Sequence, residues 1–325
     1  MAKSKKFMRK VLTILMAALV LSGCDDSKPT DGLHKISFAT HQSRTIVEDN
    51  DDLQQYNLRL FGSYTLDGRT ARVFDSERLY YDNSLPGWSY DNTKYWVTNA
   101  MYRFYAVCPY DAPATLSDEE NKIMVGTYKG CTGGADLLYA SAERNLEGNS
   151  DYSTVPLHFR HACAAVRFNL TNASSQVLKE VRNIRLIGLY NLGKFTFDST
   201  GAVAWELNST LVEDDEYDKP YGGICTLPEG GLPVNLDIKH PLYDERVLMV
   251  LPQSVYKTPI TLHLEYIKEG DAEYAVRSIE LGWLGGTTPT EWKSGEKYDY
   301  NLTITDNTIT AEVVVVDWVD NFVDL

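Results

Sequence analysis

Two histidines three residues apart, His158 and His161, are the first pair in this sequence whose type and spacing could do chemistry, as ligands of a metal ion. They fall in a segment of alternating apolar residues, where a strand points side chains at odd spacing to opposite faces, so joint ligation is not expected. Gly188 to Lys194 reads Gly-x-x-x-x-Gly-Lys, the first half of a loop whose backbone amides cradle phosphate and whose next residue, Ser or Thr, holds Mg²⁺. Phe195 stands at that position and no helical pattern follows, so the match is accidental. Neither a Gly-x-Ser-x-Gly elbow nor a His-Glu-x-x-His helix occurs. The 45 Asp and Glu residues must bring some carboxylates together, but spacing alone singles out no acid and base pair. These residues give no basis for an enzyme, a cofactor site or a metal site.

One residue has clear covalent chemistry. Lys3, Lys5, Lys6, Arg9 and Lys10 precede an apolar run of about 11 residues, Val11 to Leu21, which is the pattern of a secretory signal. That run is too short for the roughly 20 residues of a membrane-spanning helix. Leu21-Ser22-Gly23-Cys24 resembles the bacterial lipobox, in which small residues fit a signal peptidase and the cysteine sulfur takes the lipid. Residues 1–23 are therefore expected to be removed, leaving Cys24 lipidated and held to the outer membrane; the alternative is an ordinary cleaved signal with an incidental Cys24. Asp25-Asp26 resembles the acidic export tag of surface lipoproteins in the Bacteroides group, which implies outward display.

Loss of the signal leaves 26 Lys and Arg against 45 Asp and Glu, a net charge near −19. Such a charge excludes phosphate-backbone binding, so no nucleic-acid partner is expected, and it favours attachment through lipid over a basic patch. Cys108, Cys131, Cys163 and Cys225 are widely spaced and contain no Cys-x-x-Cys pair, which argues against a zinc or redox site. They read as buried thiols or as one disulfide.

The elements that would position any site are strands. Residues 24–33 are polar, contain Pro29 and Gly32, and read as a flexible tether. From Ile36 onward apolar residues alternate: Ile36 and Phe38; Val166, Phe168 and Leu170; Val234, Leu236 and Ile238; Leu262, Leu264 and Tyr266; Tyr298, Tyr300, Leu302 and Ile304. Val313 to Val316 is a continuous apolar run that suits a strand buried on both faces. Turn clusters such as Asp67-Gly68, Gly222-Gly223 and Gly285-Gly286 separate these segments. The best helical period is a weak one around Asp118 to Met124. An all-β fold of two tandem β-sandwich domains is expected, 34–172 and 173–325, divided at the polar stretch Asn172 to Gln176; the acidic run Glu213 to Asp218 is the alternative boundary.

Exposed aromatic rings can stack on sugar faces, so Trp88, Trp96, Trp283 and Trp292 are candidates for a surface glycan-binding protein. The competing expectation is that each lies in a core or between sheets.

Several segments, taken in order, resemble the fimbrillin family, the type V pilus subunits and accessory lipoproteins of Bacteroides and Porphyromonas relatives. Ile36-Ser-Phe38 followed by Ser43-Arg44-Thr45 is similar to the family's first strand and the stretch behind it. Then come Lys94-Tyr95-Trp96 and the aromatic strand Tyr102 to Pro109. Asp136-Leu-Leu-Tyr-Ala140 matches closely, and Leu157-His-Phe-Arg-His161 leads into Ala164-Ala-Val-Arg-Phe168. Leu251-Pro252-Gln253, Trp292 to Tyr300 and Val316-Asp-Trp318 complete the series. Cys108 departs from the family, which more often carries a non-thiol residue there.

The resemblance implies transthyretin-like sandwiches, no enzymatic activity, and assembly with other pilus subunits by strand exchange. An edge groove accepts a neighbour's strand in that scheme, and the product contributes to adhesion to a host protein or glycan. It also implies processing by an arginine-specific protease behind the first strand, at Arg44 and Thr45, in stalk subunits. Anchor and accessory subunits keep that strand, and Arg44 is then a loop cation.

Overall fold

A computed structural model gives the fold and describes residues 33–42, 53–84, 87–117, 121–130, 136–208, 223–226, 232–234, 239–242, 247–257, 259–282, 284 and 289–317. Every named element is a strand. In chain order these are β1 (Phe38–Gln42), β2 (Leu58–Leu66), β3 (Arg69–Asp82), β4 (Gly87–Ser89), β5 (Met101–Cys108), β6 (Ala114–Ser117), β7 (Lys122–Lys129) and β8 (Leu138–Asn145). There follow β9 (Val155–His161), β10 (Ala164–Asn172), β11 (Leu178–Leu189), β12 (Leu192–Asp198), β13 (Val203–Asn208), β14 (Gly223–Thr226), β15 (Leu232–Val234) and β16 (Lys239–Pro241). The last are β17 (Leu248–Val250), β18 (Gln253–Ser254), β19 (Thr261–Lys268), β20 (Ala275–Glu280), β21 (Glu291–Trp292), β22 (Glu296–Ile304) and β23 (Ile309–Asp317).

The first sheet has seven strands in the order β1-β9-β8-β5-β2-β3-β4. Its centre is covered on both faces, as the sequence of β5 requires. Tyr102, Phe104, Ala106 and Cys108 pack with Phe38, Phe74, Tyr90 and Trp96 on one side. Tyr105 and Val107, at the alternate positions, pack on the other side with Ile123 and Val125 of β7 and Phe195 and Phe197 of β12. A four-stranded sheet, β13-β12-β7-β6, supplies that second cover.

The second core lies between two sheets of five strands. Val166, Phe168 and Leu170 of β10 and Tyr298, Tyr300, Leu302 and Ile304 of β22 face Leu186 of β11 and Leu262, Leu264 and Tyr266 of β19. These alternations are the ones expected from the sequence. In β11 the inward residues run Leu178, Val181, Ile184 and Leu186, and the break in period coincides with register shifts against β19 and with Asn183 at φ 50°.

Strands cross the sequence division at residue 172. β10 lies in the second core, while β12 and β13 complete the first by pairing β12 with β7. Ala162, Cys163, Ala165, Met249 and Leu251 join that first packing, so the seam between the two cores is itself apolar.

The helical period around Asp118 to Met124 is too weak to set against an all-β fold, and residues 122–124 form the start of β7, paired with β6 and β12. One expectation fails. The apolar run from Val313 belongs to β23, the outer strand of its sheet, with Val314 51% and Val315 41% exposed. A run of valines satisfies strand propensity without specifying what covers it.

Candidate functional site

Phe38 fills a slot at the edge of the first sheet, and the elements around it explain why. β1 runs parallel to β9 in the register Phe38↔Val155 to Gln42↔Phe159. On the other side of β9, β8 is in register only at Leu138↔His161 and Tyr139↔Arg160, so over residues 155–159 the described ladder partner of β9 is β1. Ahead of β1 the chain is clamped on its opposite edge: Ile36 N donates to Lys94 O and Trp96 N donates to His34 O, both at 2.9 Å. Tyr90 Oη donates to Ile36 O at 2.7 Å, and Val155 N donates to Ser37 O at 2.8 Å. Ile36, Phe38 and Thr40, the alternate residues, are buried. The arrangement moves no proton and transfers no group; it holds one short strand by main-chain hydrogen bonds and side-chain slots.

The residues assigned processing and anchoring chemistry, Cys24, Arg44 and Thr45, lie outside the described residues, as do Trp283, Cys131 and Trp318. β1 ends two residues before Arg44.

Three of the candidate sugar platforms are engaged inside the protein. Trp96 and Trp292 are buried, and Trp292 Nε1 donates to Tyr300 Oη at 3.0 Å. Trp88 is half-buried, and its Nε1 donates to Thr40 Oγ1 at 2.9 Å. Trp96 and Trp292 therefore offer no free face to a glycan, and Trp88 is partly covered.

The histidines of β9 separate as expected, His158 exposed and His161 buried. What the spacing did not reveal is the partner: His161 Nδ1 lies 2.5 Å from Asp136 Oδ2. Cys108 and Cys163 are free and buried, and burial, reinforced by the nearby Asp136 carboxylate, pushes both thiols well above their ordinary value. Such thiols are poor nucleophiles. Cys225 lies in β14. Among the described residues no group of three or more His, Cys, Asp or Glu side chains is placed to hold a metal ion. Gly188 to Lys194 runs from the end of β11 into β12, with Gly188 at φ 90° where β11 shifts register against β14.

Other recurring segments have packing roles. Gln253 Oε1 accepts from Tyr190 N at 2.7 Å while Gln253 Nε2 donates to Tyr190 O at 2.9 Å, so the side chain imitates a strand neighbour. Tyr298 Oη accepts from Lys293 N and donates to Glu291 O, pinning the turn through Gly295. Burial holds the Tyr298 and Tyr300 phenols far above their usual range.

A family model described as fimbrillin-like matches residues 47–318. No curated protein matches the chain. Among solved structures, a fimbrial protein from Bacteroides vulgatus superposes with a TM-score of 0.59 at 16% identity, over 88% of this chain and 99% of that one. A Bacteroides uniformis protein provisionally assigned to cell adhesion gives a TM-score of 0.55 at 16% identity, over 89% of this chain and 100% of the other. At these identities the likeness is one of fold.

Proposed function

The chain belongs to the fimbrillin-like family, and from that premise we propose that it is a fimbrial subunit that assembles by donor-strand exchange and contributes to adhesion. Its fimbrial character and surface location follow from the family, whose members are structural rather than catalytic. Exchange is the finer reading, and one observation supports it: over residues 155–159 the described partner of β9 is a single short parallel strand at a sheet edge. Removing that strand would uncover backbone donors and acceptors together with an apolar slot, a state that favours capture of another strand.

In this reading residues 1–23 are the signal, Cys24 carries lipid into the outer membrane, and residues 24–33 are the tether. Cleavage between Arg44 and Thr45 frees the first strand, and the C-terminal strand of a neighbour, Thr310 to Trp318, takes its place. The two cores are two tandem transthyretin-like sandwiches. Their boundary is best drawn between β9 and β10, with the β12–β13 hairpin returning to the first. A host protein or glycan is the adhesion target.

Limited digestion with an arginine-specific protease, followed by mass spectrometry and native gels, tests the reading. Cleavage at Arg44 followed by higher oligomers supports a processed stalk subunit. An Arg44 that resists cleavage in the folded protein indicates an uncut, lipid-held anchor or accessory subunit.

A further inference from the structure

β2 and β3 set two arginines face to face. In their antiparallel register Arg59 lies directly opposite Arg78, on the face of the first sheet away from the buried Leu58 and Leu79. Opposite residues on neighbouring strands stand about 5 Å apart, and like charges there repel. Each guanidinium is laid on a tyrosine ring: Arg59 lies 4.8 Å from the Tyr110 centroid and Arg78 5.0 Å from that of Tyr80. Arg59 Nε donates to Tyr110 O at 2.7 Å and Nη1 to Ser76 Oγ at 3.0 Å, and among the described residues Arg59 forms no ion pair. Asp91 Oδ2 stands 4.0 Å from Arg78 Nη2, beyond hydrogen-bond reach, and the Arg78 side chain is 48% exposed. A bulge in β3 helps to build the arrangement. Between Leu60 and Gly62 the partners on β3 run from Glu77 to Phe74, and Ser76 inside that shift takes φ 60°, a strained value for a residue with a Cβ. The strained backbone carries the hydroxyl that meets Arg59.

We propose that the Arg59 and Arg78 pair is a binding site for a sugar acid, with the carboxylate held between the two guanidiniums and the sugar ring beside Tyr80 and Tyr110. The proposal rests on the adhesion part of the function proposed above, names its ligand class, and makes no use of strand exchange. An oxyanion between the arginines replaces their repulsion with charge-assisted hydrogen bonds, which guanidinium forks make to carboxylates in paired geometry. Charge limits the ligand to one such group. Asp91 stands beside the pair and the chain carries a formal net charge of −14, so a polyanion is repelled from the surrounding surface. An acidic peptide brings several carboxylates, whereas a sugar acid brings one among neutral hydroxyls. The half-buried rings of Tyr80 and Tyr110 suit the C–H faces of a pyranose, and the Asp91 carboxylate can accept from its hydroxyls.

The test titrates methyl glucuronide and sialyllactose into the full mature chain, followed by ligand-observed NMR, with methyl glucoside and lactose as neutral controls. Saturable binding is expected for the two acidic sugars alone, weaker as salt is raised. Arg78→Gln should reduce it at least about tenfold, from the lost charge-assisted bond. The same variant should melt no lower than the wild type, because it removes one of two opposed like charges. Neutral sugars that bind as well as the acidic ones, or an Arg78→Gln chain that binds the acidic sugars as the wild type does, overturn the site. A lower melting temperature with binding unchanged gives the pair a packing role and overturns it too. Tighter binding of inorganic sulfate, or of a Glu-rich peptide, than of either acidic sugar overturns the sugar assignment. Beads coated with the mature chain separate the site from the adhesion reading: adhesion to host surfaces that survives Arg78→Gln overturns the proposal and leaves adhesion standing, whereas wild-type beads that take up acidic sugars by way of Arg78 yet adhere to no host surface support the site and remove the adhesion reading.

Discussion

His161 and Asp136, 25 positions apart, meet side chain to side chain at 2.5 Å, and both side chains are almost wholly removed from solvent. The contact ties the end of β9 to the segment entering β8, at the rim of the apolar seam, where Ala162 N also donates to Leu137 O. Asp136 Oδ1 is buried without a hydrogen-bond partner among the described residues, so the carboxylate depends on His161 for its compensation. Replacing either residue by Ala should cost about 3 kcal/mol, because each leaves a buried polar partner behind. The double replacement should cost clearly less than the sum. Urea titrations of the four proteins check this, and strict additivity would mean the pair is not coupled.

Gln253 is expected to be equally intolerant. Gln253→Ala removes both bonds to Tyr190 and should cost about 2 kcal/mol. Gln253→Glu keeps an acceptor but loses the donations to Tyr190 O and Leu251 O, so it should not rescue stability. Equal melting temperatures for Gln253→Glu and wild type would refute the clamp.

Two glycines with nearly the same φ separate strain from collision. Gly188 has φ 90° and Gly270 has φ 91°; a Cβ on Gly188 would stand 2.8 Å from Pro259 O, whereas Gly270 has nothing within 4 Å. Gly270→Ala should cost about 1 kcal/mol, the backbone term alone. Gly188→Ala should cost distinctly more in thermal unfolding, and the reverse order would contradict the close approach of Pro259 to the end of β11.

Alkaline pH should unfold the protein early. The folded state keeps the Cys108 and Cys163 thiols protonated, while unfolded thiols ionise near 9.0, so above that pH the unfolded chain binds fewer protons. Unfolding free energy must then fall as pH rises, by about 1.4 kcal/mol per pH unit for each thiol. Tyr105, pushed up to about 12 by burial, adds to the loss above pH 10. The Cys108→Ala, Cys163→Ala double variant should show a shallower decline between pH 9 and 10, and an unchanged slope would refute the assignment.

Much of the fold was legible because alternation reports directly on which face is buried. Tyr298, Tyr300, Leu302 and Ile304 are all buried, as their spacing required. Propensity could not say what lies opposite a strand, which is why the valines of β23 looked doubly buried and proved to be at an edge. The site was legible only in part. Ile36 and Phe38 announced a first strand, but the donation from Trp88 to Thr40 spans 48 positions and depends on how β4 folds over β1. The Asp136–His161 contact was invisible for the same reason: each residue could be placed on a face, but their meeting depends on a strand pairing with no local signature.

The central claim is that the first strand is a replaceable partner of β9. Amide hydrogen exchange at Val155, Leu157 and Phe159 measures it most directly, since Val155 N donates to Ser37 O, the alternate amides of β9 face β1, and Pro156 has none. Slow exchange is predicted in the uncut protein, fast exchange after residues 24–44 are cut away and separated, and slow exchange again once the cut subunits assemble. Cut chains lacking residues 310–325 should neither assemble nor recover protection. Protection that persists after the first strand has been removed, or assemblies in which residues 155–159 stay fast, would contradict the account.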